Sequence, residues 1–126
     1  MKKILGRYEG EFLSLLRIVA GFLFWAHGAQ KLFGFFGGGP PELNLSLWIA
    51  GLTEFIGGGL IMIGLFTSEA AFVASGVMAG AYFLVHQPQA LFPIVNKGEL
   101  AALYSFVFLF LAARGGGPWS VDAARR

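Results

Sequence analysis

The chain has 126 residues, room for one domain, and its formal net charge is only +2. Hydrophobic residues make up 56% and charged residues 13%, about half the roughly 25% of soluble domains. That balance argues against a soluble globule this small, excludes disorder and leaves no basic run for nucleic acid; with no cysteine, disulfides and Cys-ligated clusters are excluded too.

Lys2, Lys3 and Arg7 come first, ahead of an apolar stretch over residues 12–33. A spanning helix takes about 17–25 residues, so this stretch reads as the first span. Arg17 interrupts it, which disfavours a cleaved signal peptide. Gly37-Gly38-Gly39-Pro40-Pro41 then breaks the chain. The second span is placed at 47–66, with Glu54 mid-helix among glycines at 51, 57, 58 and 59. Thr67-Ser68-Glu69 reads as a tight turn that caps the next helix. The third span covers 70–86 and closes on His86, ahead of Pro88 and Pro93. Asn96 and Glu99 have the spacing of a capping box. They open a short fourth span over 99–113, which ends at Gly115-Gly116-Gly117-Pro118.

These elements predict an all-α integral membrane four-helix bundle, one domain over 1–126. Lys2, Lys3, Arg7, Arg114, Arg125 and Arg126 fall on one side, and only Lys31 and Lys97 lie near loops on the other. The excess of basic residues marks the cytoplasmic side, so both termini are expected there. His27 to Phe33 and His86 to Phe92 share the pattern His-x-x-Gln-x-Leu-Phe, which suggests two repeated helical hairpins.

Ionisable groups inside a span cost about 2.5–3.5 kcal/mol at the helix centre, so each needs a reason. With a rise of about 1.5 Å per residue, His27 lies about 8 Å inside the outer end of its helix, Glu54 about 10 Å and His86 about 6 Å or less. Glu54 must be neutral or paired, and His27 or Lys31 is nearest in depth. The candidate polar intramembrane site is therefore His27, Glu54 and His86, with Lys31, Glu99 and Arg17 as further members. Each also has a plainer role. Arg17 and Lys31 can snorkel to the membrane surfaces, Glu99 can cap a helix, and each histidine can be a hydrogen-bonded interfacial residue. Small residues share the polar faces: Gly21 and Gly28 lie with Arg17 and Lys31, Gly51 and Gly58 with Glu54, and Ser75 and Ala79 with His86. Those faces are expected to point inward. No metal site is assigned.

Leu16-Arg17-Ile18, Gly21, Phe24 and His27-Gly28-Ala29-Gln30-Lys31-Leu32-Phe33-Gly34 resemble the first helix of the DoxX family of small membrane proteins. The resemblance continues through Gly51-Leu52-Thr53-Glu54-Phe55-Ile56-Gly57-Gly58, Gly64-Leu65-Phe66-Thr67 and Ala70-Ala71. It resumes at Ala81-Tyr82-Phe83 with His86, Lys97-Gly98-Glu99 with Leu103-Tyr104, and Gly117-Pro118-Trp119-Ser120-Val121-Asp122. Asn96-Lys97-Gly98 departs from it, since a paired glycine before the glutamate is commoner. The resemblance implies a four-helix protein of the bacterial or archaeal inner membrane. Some members of that family are tied to thiosulfate oxidation with quinone as acceptor, others to membrane assemblies that handle oxidative stress. No agreed catalytic residue set comes with it.

Two functional classes stay open at this level. One is a subunit of a quinone-linked oxidoreductase, in which a His–carboxylate pair supplies protons to the carbonyl oxygens. The other is a non-catalytic accessory subunit of a larger membrane assembly. A small-molecule channel or transporter, as a homo-oligomer, is a third reading. No cofactor is evident in the chain: quinone is the candidate ligand, and a b-type haem between His27 and His86 is disfavoured. The expected partners are the lipid bilayer and other membrane subunits, with no nucleic acid.

Overall fold

In the computed structural model, residues 1–40 and 44–126 are described, and they form helices and turns without a strand. Pro41, the end of the expected glycine–proline break, lies outside the described residues. A helical turn at Lys2–Leu5 and a tighter one at Gly6–Tyr8 lead into α1, Glu9–Phe33. Helix α2 runs over Leu45–Ile63, α3 over Thr67–Gln89 and α4 over Glu99–Arg114. Single turns at Pro93–Asn96 and Val121–Ala124 follow α3 and α4. The α1 helix with its lead-in, α2 and α3 are long and apolar enough to cross a membrane. At 16 residues, α4 is shorter.

Local chemistry sets these ends. Expected to reach residue 66, α2 stops at Ile63 because Gly64 turns left-handed, at φ 75°. The Gly64 N–H bonds the Ile61 carbonyl at 3.1 Å and the Leu65 N–H bonds the Leu60 carbonyl at 2.9 Å, the paired bonds of a Schellman end. Helix α3 starts at Thr67, and the expected local cap from Thr67-Ser68-Glu69 does not form. Instead the Asp122 carboxylate, far along the chain, accepts from the Phe66 and Thr67 N–H groups at 2.9 Å each. Partial burial works against ionisation of Asp122. The Thr67 and Phe66 donors and nearby Arg125 outweigh it, so the pKa falls below the usual carboxyl value.

Helices α1 and α2 run antiparallel and almost touch backbone to backbone. A Cβ placed on Gly21 would lie 2.6 Å from the Met62 nitrogen, and one on Gly58 would lie 2.5 Å from the Trp25 nitrogen. Without a hydrophobic drive between helices in lipid, such close approach supplies the packing energy. Helices α3 and α4 are joined differently, by reciprocal bonds across Ser75 and Ser105. The Ser75 hydroxyl donates to the Ser105 carbonyl at 2.7 Å, and the Ser105 hydroxyl to the Ser75 carbonyl at 3.3 Å. Fully buried Phe24 wedges the two pairs together, its ring 4.7 Å from Phe108 and 5.3 Å from Tyr104. The pairs are two hairpins but not copies. A widened π turn interrupts α2 at Thr53–Gly57 and α3 at Tyr82–His86, which are not matched positions.

At the end where α1 begins, Arg17 is 1% exposed, so it does not snorkel to lipid. Its guanidinium donates to the Gly116 carbonyl and, at 2.6 Å, to the Trp119 carbonyl. The Ser14 hydroxyl accepts from the Trp119 N–H at 3.1 Å, and the segment after α4 is thereby bound across the helix ends.

The packing yields a contrast between two glycines. Gly58→Ala is expected to cost about 1–3 kcal/mol through overpacking. Gly76→Ala, where a new Cβ meets nothing within 4 Å, is expected to be neutral or mildly stabilising. Thermal unfolding of the two variants in the same detergent checks this, and equal effects would contradict the packing described.

Candidate functional site

The antiparallel register of α1 and α2 decides which side chains meet at the opposite end. A Cβ on Gly51 would lie 2.8 Å from Leu32, so the last turn of α1 is pressed against the segment that carries Glu54. The π turn at Thr53–Gly57 inserts an extra residue into the helix and re-aims Glu54, a geometry frequent at functional sites. Glu54 is 3% exposed, and Lys31 reaches it with Nζ 2.6 Å from Oε1. Lys31 therefore turns inward rather than snorkelling. This is a charge-assisted hydrogen bond in surroundings of low polarity.

His27 sits one turn before Lys31 on the same face of α1 and meets the edge of Tyr104, with ring centroids 6.3 Å apart at 86°. Tyr104 projects from α4 and stacks on Phe108 at 5.3 Å and 4°, which holds its ring in one plane. His86 closes the π turn of α3. Its Nδ1 lies 3.1 Å from the Asn96 carbonyl oxygen. His27, Lys31, Glu54, His86, Lys97 and Tyr104 surround one cavity of about 220 Å³, completed by apolar residues of α3 and α4. Two buried polar atoms there, Glu54 Oε2 and the Tyr104 hydroxyl, have no hydrogen-bond partner among the described residues. A buried polar atom without a partner costs about 1–3 kcal/mol.

Of the six candidate residues, the structure brings His27, Lys31, Glu54 and His86 together and leaves two apart. Arg17 lies at the other end of the packed helices, beyond a fully buried apolar layer that includes Phe24, Ile61 and Phe108. Glu99 is the exposed first residue of α4 and does not line the cavity. The expected capping box between Asn96 and Glu99 is absent as well. Asn96 Oδ1 accepts from the Gly98 N–H at 2.8 Å, and Gly98 itself caps α4.

Three residues were not singled out as candidates from the sequence. Tyr104 carries a weak signal, a lone hydroxyl within an apolar helix that demands a partner. Lys97 and Asn96 sit in a connection whose path the sequence does not show. Lys97 is left-handed, at φ 62°, which is where a glycine would be comfortable.

The family model described as DoxX matches residues 12–87, the stretch that carries His27, Lys31, Glu54 and His86. An uncharacterized protein of Haemophilus influenzae is 41% identical over 125 residues, covering 94% of this chain and 93% of that protein. No solved structure matches.

The Lys31–Glu54 pair can be tested by a double-mutant cycle. Lys31→Met leaves a buried carboxylate unpaired and is expected to destabilise toward the lower end of about 3–5 kcal/mol, since Lys31 is 35% exposed. Adding Glu54→Gln should recover most of that loss. Thermal unfolding in detergent reads the cycle, and additive losses would show that the pair is not coupled.

Proposed function

This chain belongs to the DoxX family and is a membrane protein, and on that premise we propose that it is a quinone-linked redox subunit of the inner membrane. In this reading all four helices span as one bundle, with both termini in the cytoplasm. The charge pattern supports the orientation. Lys2, Lys3, Arg7, Arg114, Arg125 and Arg126 belong to the end that Arg17 closes, while Lys31 and Lys97 belong to the cavity end. Helix α4 is short by the usual measure, about 24 Å against a hydrocarbon core of about 30 Å. The segments bound at its two ends, Pro93–Asn96 and the stretch held by Arg17, complete its passage.

The observation that carries the functional reading is the cavity itself. Inside an otherwise apolar bundle, it gathers groups that can give or take protons around a space of about 220 Å³. An apolar cavity of about 150 Å³ can hold benzene, so one substituted ring fits here. Reduction of a quinone to a quinol adds two electrons and two protons. The electrons come from a partner subunit that carries a redox centre, and the protons reach the two carbonyl oxygens. In this reading Tyr104 and His27 donate hydrogen bonds to such an oxygen. The paired Lys31 and Glu54 hold charge beside it and can relay protons from the cavity mouth. The apolar layer below the cavity makes it a dead end, which fits a binding site better than a pore.

Two measurements test this. In a chain without cysteine, Phe35→Cys should react with an impermeant thiol reagent only from outside intact cells, and Ala124→Cys only after the inner face is opened. The reverse pattern would overturn the orientation. For the site, a short-tailed ubiquinone analogue should bind the purified protein in lipid nanodiscs saturably. Tyr104→Phe and Glu54→Gln should each weaken that binding about tenfold, equivalent to about 1.4 kcal/mol. Absence of saturable binding, or full binding by both variants, would overturn the quinone assignment.

A further inference from the structure

The connection between α3 and α4 is built around a single buried side chain. Asn96 is 1% exposed and is tied on both sides of its amide. Its Oδ1 accepts from the Gly98 N–H at 2.8 Å, and its Nδ2 donates to the Ala90 carbonyl at 3.0 Å and the Tyr82 hydroxyl at 3.3 Å. Lys97 adopts φ 62° to make this turn. Gly98 packs so closely that a Cβ on it would lie 2.8 Å from the His86 Cβ. The amide network thus fixes one backbone atom in particular, the carbonyl oxygen of Asn96, which faces His86 Nδ1 at 3.1 Å.

A carbonyl oxygen only accepts hydrogen bonds, so Nδ1 must carry the hydrogen. In the neutral ring the lone pair then resides on Nε2. With Nδ1 committed to Asn96, Nε2 is the ring nitrogen left to the cavity that His86 lines. We propose that Asn96 is a positioning residue that holds His86 as the Nδ1–H tautomer, and that His86 Nε2 is an acceptor subsite for a ligand bearing an O–H or N–H group. The charged and titratable groups that face this subsite are Lys31, Glu54 and His27 from α1 and α2, Lys97 from the connection, and Tyr104 from α4. Among them the Tyr104 hydroxyl is a buried donor without a partner and Glu54 Oε2 a buried acceptor without one. A ligand hydroxyl or N–H group can give its hydrogen to His86 Nε2, which an ether or a hydrocarbon cannot do. The assignment does not depend on quinone, since both the tautomer and the donor preference are read without one.

The chain has two histidines, so a [15N]histidine-labelled sample in nanodiscs gives two imidazoles, and His27→Gln tells them apart. Proton–nitrogen correlations should be recorded at a pH high enough that both rings are neutral. His86 is expected to show a protonated Nδ1 and a bare Nε2. An Nε2–H tautomer in the unaltered protein would overturn the proposal without recourse to any variant. In Asn96→Asp, which keeps the acceptor for Gly98 but loses the amide donors, the tautomer preference should weaken to a mixture; an unchanged preference would overturn the role given to Asn96. Phenol and anisole, which share a ring but not the donor, probe the subsite. Phenol should shift the His86 Nε2 resonance saturably and anisole should not. Equal shifts by both, or none by phenol, would overturn the donor preference.

Discussion

Where α1 crosses α2 there is no room for side chains, and the rest of the molecule follows from that crossing. Gly21, Gly28 and Gly58 press against backbone of the opposite helix, and Gly51 against the Leu32 side chain. Such contacts cannot slide. A shift by one residue would drive a Cβ into a peptide nitrogen. The register that results places Lys31 opposite Glu54, and it is this placement, more than charge attraction, that makes their 2.6 Å contact available. Taking two charges out of water costs several kcal/mol per ion unless geometry and further hydrogen bonds repay it. A glycine-locked register supplies the geometry. The π turn at Thr53–Gly57 supplies the remaining rotation.

The same economy gives the packed helices two unlike ends. At one end Arg17 and Ser14 of α1 bind backbone groups of the segment after α4, and Asp122 of that segment binds the N–H groups that open α3. At the other, polar groups face a space and two of their atoms lack partners. The buried apolar layer at Phe24, Ile61 and Phe108 keeps the two apart. Polar residues in a membrane interior carry a cost wherever they lie, and both ends keep unpartnered atoms, Arg17 Nε and Thr67 Oγ1 at the first, Glu54 Oε2 and the Tyr104 hydroxyl at the second; the chemistry is sought at the second because His27, Lys31, Glu54, His86 and Tyr104 converge there.

How much of this is legible in the sequence depends on how local each cause is. The helical course of the chain follows from long apolar runs broken by glycine and proline. The inward turn of Glu54 follows from the glycines on its face. Helix ends are less legible, because Gly64 ends α2 before the apolar run itself ends. Least legible is anything settled by a partner far along the chain. Nothing near Arg17 announces Gly116 and Trp119, and nothing near Thr67 announces Asp122. Glu99 shows the opposite error. Its spacing from Asn96 fits a capping box, yet Asn96 Oδ1 is taken by Gly98 and its amide nitrogen by Ala90 and Tyr82. Tyr104 belongs to the cavity only because α4 packs on α1 through Phe24, a contact between distant segments.

The aspartate that caps α3 stands 55 residues after the helix turn it serves. At a synthesis rate of about 5–20 residues per second, roughly 3–11 s separate the two on the ribosome. During that interval the first turn of α3 and the guanidinium of Arg17 are both without the groups that will satisfy them. The first three helices can enter the bilayer, but that end stays unlatched until the segment that carries Asp122 has been made. Biogenesis therefore has a built-in order: insertion first, and closure only when the segment beyond α4 emerges and folds back.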